Sequence, residues 1–357
     1  MTAPITVAAM DWPTVLTELT SQRDLSAEQA RWAMSEIMSD GATPSQISAF
    51  GVAMKMKGPS PVEVRALADV MLSLTTAVPF ADRAVDIVGT GGDRSHSVNI
   101  STMSSIVVAA AGVPVLKHGN RAASSKSGGA DCLEALGVAI GLDADGVART
   151  TTELGIGFCL ASVFHSGLRF AGATRKEIGI PTVFNVLGPL TNPGRPSAGL
   201  IGCAFADLAP VVAQAFADRG GEDHVIVVRG DDGLDELTTT STSTVWRVQE
   251  EGVGVESVDP RELGLPRVAI EDLRGGDATA NAAIARAFLG GETGPVRDAV
   301  LLNSAGAVAA YEGLTAGETV QDALAAHLPR VAEAVDSGAA AALLDRWVAL
   351  SQEIAGS

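Results

Sequence analysis

Cationic residues are scarce in this chain: 25 Lys and Arg stand against 42 Asp and Glu among 357 residues, a net charge of −17. So anionic a surface repels phosphate backbones and acidic headgroups, which argues against general binding to nucleic acid or anionic membranes. A local cationic pocket stays open to phosphate. Cysteine is equally sparse. Cys132, Cys159 and Cys203 stand far apart and form no CxxC pair, so a disulfide framework or structural zinc site is not expected. They read as small core residues in a reducing compartment. No long apolar run is present either: Ile100 to Leu116 is interrupted by Ser101, Thr102, Ser104, Ser105 and Pro114, too polar and short to span a bilayer. Met1 to Met10 lack the basic start and apolar run of a secretory signal. The expectation is a cytoplasmic protein. Internal repeats and low-complexity linkers are also missing.

What is present is material for a core: 46% hydrophobic and 19% charged residues, on a length that suits one large or two modest domains. The first eighty residues carry three helix-start signals. Ser26-Ala27-Glu28-Gln29 is a capping box, and Thr43-Pro44-Ser45-Gln46 and Ser60-Pro61-Val62-Glu63 repeat it with Pro at the first helical position. Ala30, Met34, Ile37 and Met38 follow at helical spacing, and Gly41 and Gly58 mark ends. From Ala84 the pattern changes to short β-branched runs: Val85 to Val88, Val113 to Leu116, Ile156 to Leu160, Leu200 to Ala204 and Val225 to Val228. Helical stretches lie between most of them, at Ser101 to Ala111, Ala130 to Leu136 and Pro210 to Asp218. The expected fold class is α/β: a small all-helical domain (residues 1–80) and a larger domain (81–357) with a mainly parallel sheet flanked by helices. An Ala-rich helical tail, from about Ala278 to Ile354, includes a strand or buried helix near Asp298 to Ala310.

Three polar loops are expected at the carboxyl ends of strands, where such sheets place ligands. Gly89-Thr90-Gly91-Gly92-Asp93 ends the first strand and leads into a helix start rich in hydroxyl and amide groups, which suits phosphate. It is neither a Walker loop nor a dinucleotide fingerprint, because no Gly-Lys-Ser/Thr follows and Arg94 stands where a third glycine belongs. A plain tight turn is the bland alternative. Lys117 to Gly129 gathers Lys117, Arg121 and Lys126 with serines, Asn120 and glycines, a cationic nest for a phosphorylated sugar. Asp231-Asp232-Gly233-Leu234-Asp235-Glu236 offers paired carboxylates for Mg²⁺, which takes few protein ligands. Beyond these, Arg169 or Arg175 could grip a carboxylate, although an Arg on a solvated helix face is the commoner case; Asn185 to Pro193 reads as a structural turn, and His96, His224 and His327 read as structural or surface residues. No nucleophile-elbow signature is present.

Taken together, Gly89-Thr90-Gly91-Gly92-Asp93, Asn99-Ile100-Ser101-Thr102, Lys117-His118-Gly119-Asn120-Arg121, Gly188-Pro189-Leu190-Thr191-Asn192-Pro193 and Asp235-Glu236 resemble anthranilate phosphoribosyltransferases of tryptophan biosynthesis. The resemblance covers nearly the whole chain. It implies transfer of a phosphoribosyl group from phosphoribosyl pyrophosphate (PRPP) to the amine of anthranilate, releasing pyrophosphate. It also implies a helical domain hinged to the larger one, joined by a returning segment near 166–184, and a homodimer through the helical domain. Gly89, Gly92, Asp93, Ser97, Asn99, Ile100, Ser101 and Thr102 are then implied PRPP contacts, with Lys117, His118, Gly119, Asn120, Arg121, Ala122, Ala123, Ser124, Ser125 and Gly129. Ser101, Asp235 and Glu236 are the implied ligands of Mg²⁺, as two ions. Gly89, Asn120 and Arg175 are implied anthranilate contacts, and His118 is a candidate proton relay or an orienting group. The chain departs from the usual pattern at Val98, Gly129, Ser162 and Leu168, which opens the alternative of another aromatic amine as acceptor. A nucleoside phosphorylase of the same general fold would have no pyrophosphate to ligate. Nucleic-acid binding, known for some proteins of this fold, is opposed by the net charge.

Overall fold

The computed structural model describes residues 10–122, 126–220, 224–249 and 252–356. Four helices come first: α1 (Trp12–Thr20), α2 (Ala27–Met38), α3 (Pro44–Lys57) and α4 (Pro61–Ser73). All three capping boxes form, with Ser26, Thr43 and Ser60 each accepting from the backbone N–H three residues on. Then follow β1 (Val85–Gly89), α5 (Ile100–Ala110), β2 (Val115–Gly119), α6 (Gly129–Leu136), α7 (Ala144–Leu154), β3 (Ile156–Leu160), α8 (Ala161–Phe164) and α9 (Arg169–Ile178). The chain continues through β4 (Ala198–Gly202), α10 (Ala209–Ala217), β5 (His224–Gly230), β6 (Ser243–Gln249) and β7 (Gly252–Val258). It ends in α11 (Ala278–Leu289), α12 (Pro295–Glu312), α13 (Val320–Asp336) and α14 (Ala339–Ala355). No described helix is long and apolar enough to cross a membrane.

The strands form one seven-stranded sheet in the order β3-β2-β1-β4-β5-β6-β7. The first five are parallel and β6 and β7 are antiparallel additions at one edge. Parallel strands are covered on both faces, which is why these five read as apolar runs. On one face Val85, Ile87, Val115 and Leu200 pack with α5, α6 and the C-terminal helices. On the other, Ile201, Val225 and Val227 join α10 and the N-terminal helices in one apolar cluster. α9 and the turns after it belong to that second cluster through Ala171, Val183 and Phe184, packing against α2 and α3.

Several boundaries differ from the sequence expectation. β2 begins at Val115 because Pro114 has no N–H for the ladder, and it runs on through the polar Lys117 and His118. β4 is Ala198–Gly202, two residues earlier than the apolar run indicates. The β6–β7 hairpin has no counterpart in the sequence expectation, since its partly exposed strands mix apolar, polar and glycine residues without a clean pattern. The segment near Asp298 to Ala310 is helix α12, buried from Ala299 to Ala310.

β1, β2, β4 and β5 all end in glycine. At two of these ends the reason is close approach. The turn after β5 folds back across the sheet edge, and a Cβ on Gly89 would lie 2.1 Å from an Asp235 carboxylate oxygen. One on Gly202 would lie 1.7 Å from the Asp235 carbonyl. Gly202→Ala therefore cannot fit without displacing that turn. We expect it to lower stability in urea unfolding by about 1–3 kcal/mol and to weaken whatever Asp235 binds; an unchanged midpoint would show that the turn moves freely.

Candidate functional site

A cavity of about 340 Å³ lies across the carboxyl ends of β1 and β2, under α9 and the turns at Val183–Asn185 and Gly188–Leu190. Gly89, Gly92, Asp93, Ser97, Asn99, Ile100 and Ser101 line it from the first loop, and His118, Gly119, Asn120, Arg121 and Ala122 from the second. Asp235, Glu236 and Arg175 complete the set of expected residues. Thr102, Lys117 and Gly129 sit behind the lining rather than in it. Thr102 is buried on α5, and Gly129 opens α6 close to the Thr102 hydroxyl. Ala123, Ser124 and Ser125 lie outside the described residues. Leu168 lines the cavity, whereas Ser162 is not part of its wall.

The first loop is held in an unusual conformation. Gly91 and Gly92 have φ of 67° and 91°, and Arg94 and His96 adopt φ of 60° and 54°, a region non-glycine residues seldom enter. The segment 273–276 backs it: Leu273 accepts from the Val98 N–H, and Gly275 donates to His96. Asn281, at the start of α11, donates to Asn99 Oδ1 at 2.8 Å and accepts from the Gly276 N–H at 2.7 Å. Nothing in the Ala-rich tail singles out Asn281 by sequence. His96 lines the cavity, not merely the surface.

Acidic groups crowd the floor. Asp235 accepts from the Gly91 N–H at 2.6 Å, and Glu236 accepts from the Ser101 N–H. Both are buried. Burial, with Asp93 opposite, pushes the Asp235 carboxyl up to about 7, and burial with Asp235 alongside raises Glu236 well above the carboxylate range. A divalent cation at this place would relieve both costs. Among the described residues no group of three His, Cys, Asp or Glu side chains is placed to hold a metal ion.

The cationic nest differs from its sequence reading. Lys117 points under the sheet edge, where its ammonium donates to the Ile87 carbonyl and, at 3.2 Å, to the Ser101 hydroxyl. It faces Asp86, Asp235 and Glu236, while burial lowers its pKa. Arg121 is clamped bidentately by Glu134, at 2.7 and 2.9 Å, and also pairs with Asp131 at 3.1 Å. Of the three cations, Lys117 is buried, Arg121 is exposed but paired with Asp131 and Glu134, and Lys126 is exposed. Carboxylates of the protein's own fold, on α6, on β1 and in the turn after β5, compete for the same charge.

The other half of the cavity is built from neutral and aromatic groups. His118 and His165 stand edge to face with ring centroids 5.2 Å apart. His118 Nδ1 lies 2.9 Å from the Gly188 carbonyl and His165 Nε2 lies 2.7 Å from that of Thr191. Carbonyls only accept, so these two nitrogens carry the protons. Burial first, then His165 and Lys117, push His118 down to about 3, and burial lowers His165 as well. Both rings are neutral. The remaining nitrogens, Nε2 of His118 and Nδ1 of His165, are buried lone pairs without a partner among the described residues. Gly188 and Thr191 set this arrangement and line the cavity, so Asn185 to Pro193 is more than a structural turn. Arg175, also at the cavity, stacks on Phe184 at 5.5 Å and makes no ion pair among the described residues.

Comparison with known proteins agrees with this geometry. A glycosyl transferase family model, α/β domain, matches residues 81–341, and its helical bundle domain matches residues 13–75. The anthranilate phosphoribosyltransferase of Rhodococcus jostii (strain RHA1) is 64% identical over 349 residues, covering 98% of this chain and 96% of that protein. That of Mycobacterium marinum is 58% identical over 355 residues, covering 99% and 96%. The crystal structure of the Thermus thermophilus enzyme superposes with a TM-score of 0.86 at 36% identity, covering 95% of this chain and 99% of that one. The Saccharomyces cerevisiae enzyme in complex with PRPP and Mg gives 0.86 at 26% identity, covering 96% and 98%.

An imidazole held neutral in the fold but free to protonate once unfolded lowers stability as pH falls below 6.5, its ordinary value. With His118 at about 3 in the fold, the loss reaches about 2 kcal/mol near pH 5. We expect urea unfolding across that range to show this slope, and His118→Asn, which keeps a donor for Gly188, to flatten it. An unchanged slope in the variant would show that His118 is protonated in the folded protein.

Proposed function

The chain belongs to the anthranilate phosphoribosyltransferases, glycosyltransferases of tryptophan biosynthesis, and we propose that its cavity divides phosphoribosyl transfer between a donor half at the β1 and β2 loops and an acceptor half built by His118, His165 and Arg175. In the donor half Gly89, Gly92, Asp93, Ser97, Asn99, Ile100 and Ser101, with His118 to Ala122, receive PRPP. Lys117, Thr102 and Gly129 support that surface from behind. Ser101, Asp235 and Glu236 hold Mg²⁺, as two ions, a reading supported by the crowded buried carboxylates and by the yeast relative's complex with PRPP and Mg. When bound, Mg²⁺ offsets the charge that develops on the departing pyrophosphate.

The observation that carries the acceptor half is Arg175, a half-buried guanidinium at the cavity with no acidic partner among the described residues. Burial lowers its pKa, so an incoming carboxylate is its natural counter-charge, and a planar fork matches a benzoate in two hydrogen bonds. Gly89 and Asn120 border the same space. A primary aromatic amine has two N–H groups, and the lone pairs of His118 and His165 accept them. That leaves the amine's own lone pair free for the anomeric carbon of the ribose. Positioning supplies much of the acceleration. Once the C–N bond has formed, the nitrogen is acidic and His118 Nε2 takes its proton in passing; at about 3, this imidazole does not keep it.

The domain division proposed is 1–80 and 81–357, with 166–184 returning to the helical part, as the packing of α9 on α2 and α3 supports. On the outer side of α3, Ala49, Val52 and Met56 form an exposed apolar stripe at positions i, i+3 and i+7, with Met56 73% exposed. That stripe supports a homodimer through the helical domain. The three free, buried cysteines suit a cytoplasmic enzyme.

Two experiments test the halves separately. Arg175→Ala is expected to raise the KM for anthranilate about ten- to a hundred-fold, the worth of a charged hydrogen bond, with the KM for PRPP near wild type. An unmoved acceptor constant removes Arg175 from the site. The double variant Asp235→Asn, Glu236→Gln is expected to lose nearly all turnover and its response to added Mg²⁺. Turnover surviving in the presence of a chelator would overturn the metal assignment.

A further inference from the structure

Asp86, at the second position of β1, is a carboxylate only 2% exposed inside a parallel sheet. It does not line the acceptor cavity; it borders a separate one between α4 and the sheet. A charge in such a place must have a compensating arrangement. Its Oδ1 accepts from the backbone N–H of His118 at 3.0 Å, and its Oδ2 from Asn192 Nδ2 at 2.7 Å. The same Asn192 nitrogen donates to the Leu116 carbonyl at 2.7 Å, and Asn192 Oδ1 accepts from the Gly194 N–H at 2.8 Å. Asn192 is itself 5% exposed. These bonds all run to β2 or to the segment that follows the Gly188–Leu190 turn.

Those are the two pieces of backbone that hold the imidazoles. His118 is anchored through its own N–H. The residue before Asn192, Thr191, presents its carbonyl to His165 Nε2, and its hydroxyl donates at 3.1 Å to the Gly188 carbonyl, the acceptor for His118 Nδ1. We propose that Asp86 and Asn192 form a buried positioning pair that fixes the tautomers of His118 and His165, so that two imidazole lone pairs face the acceptor amine. The inference rests on the acceptor half described above. If the pair is broken, the 191–194 segment loosens and the Thr191 carbonyl no longer dictates which nitrogen of His165 carries the proton. Neutral imidazole tautomers are close in energy, so a small displacement at the segment redistributes the lone pairs.

Asp86→Asn keeps the shape but replaces one acceptor oxygen by an N–H₂ facing either the His118 N–H or the Asn192 amide. Asn192→Ala removes the other partner and leaves Asp86 bonded to His118. For either variant, in folded protein, the expected result is a rise of about ten-fold or more in the KM for anthranilate. Calorimetric binding of PRPP, which His118 also borders, should weaken by far less than the anthranilate KM rises. In the ¹⁵N spectrum of histidine-labelled protein, the unprotonated Nδ1 signal of His165 should shift toward the protonated value. An unaltered anthranilate KM together with unaltered imidazole signals would overturn the proposal, as would an equal weakening of PRPP binding, which would mark a general disruption. His165→Ala separates this from the underlying reading: if it impairs anthranilate use while Asp86→Asn does not, only the positioning pair fails. If it too leaves anthranilate use intact, the acceptor half is wrong and the pair has nothing to position.

Discussion

One buried ammonium underlies the site. Lys117 reaches beneath the carboxyl edge of the sheet, bonds the middle of β1 and the start of α5, and faces Asp86, Asp235 and Glu236. Without it three carboxylates would share a dry region with no opposite charge, which no arrangement of hydrogen bonds alone makes good. With it, a single cation serves both halves. It faces Asp86, which braces the imidazoles, and the Asp235–Glu236 turn, which closes over the ends of β1 and β4. One positive charge does not balance three acids. The excess of negative charge supports the proposed place of Mg²⁺ at this turn.

The division of polarity follows. At the first loop and the turn after β5, backbone N–H groups and carboxylates alternate, an environment for a polyanion accompanied by metal. At α9 and the Gly188–Leu190 turn the groups are neutral imidazoles, a phenyl ring and one guanidinium, an environment for a flat aromatic acid whose amine must stay unprotonated. In the proposed division, the two reactants are sorted by electrostatics before any contact specific to either is made.

Much of this is legible in the residues. The apolar runs of β1 to β5 mark a buried parallel sheet because such strands are covered on both faces. The capping boxes at Ser26, Thr43 and Ser60 locate α2 to α4 because local hydrogen bonds decide helix starts. Motif residues such as Asp235, Glu236 and Asn99 fall at the cavity as expected. What is hidden depends on contacts distant in sequence. The pairing of Arg121 with Glu134, and the distinction between Lys117 as a buried counter-charge and Lys126 as an exposed one, are tertiary facts. The Asp86–Asn192 bond spans more than a hundred positions, and the tautomers of His118 and His165 are set by carbonyls that any residue type could supply. The β6–β7 hairpin is hard to read because β7 is half-exposed and its valines are interrupted by two glycines.

The path of the chain through the helical part has a consequence for synthesis on the ribosome. α1 to α4 emerge first, yet the side of α3 bearing Phe50 and Gly51 is covered by Thr182 and Phe184, which are translated only after β1, β2 and β3. At ordinary elongation rates the nascent bundle waits on the order of ten seconds for its last layer. During that interval the neighbouring apolar groups of α3 are open to chaperones and to other nascent chains. The bundle therefore reaches its final packing only when most of the parallel sheet has already been made, and the two parts mature together.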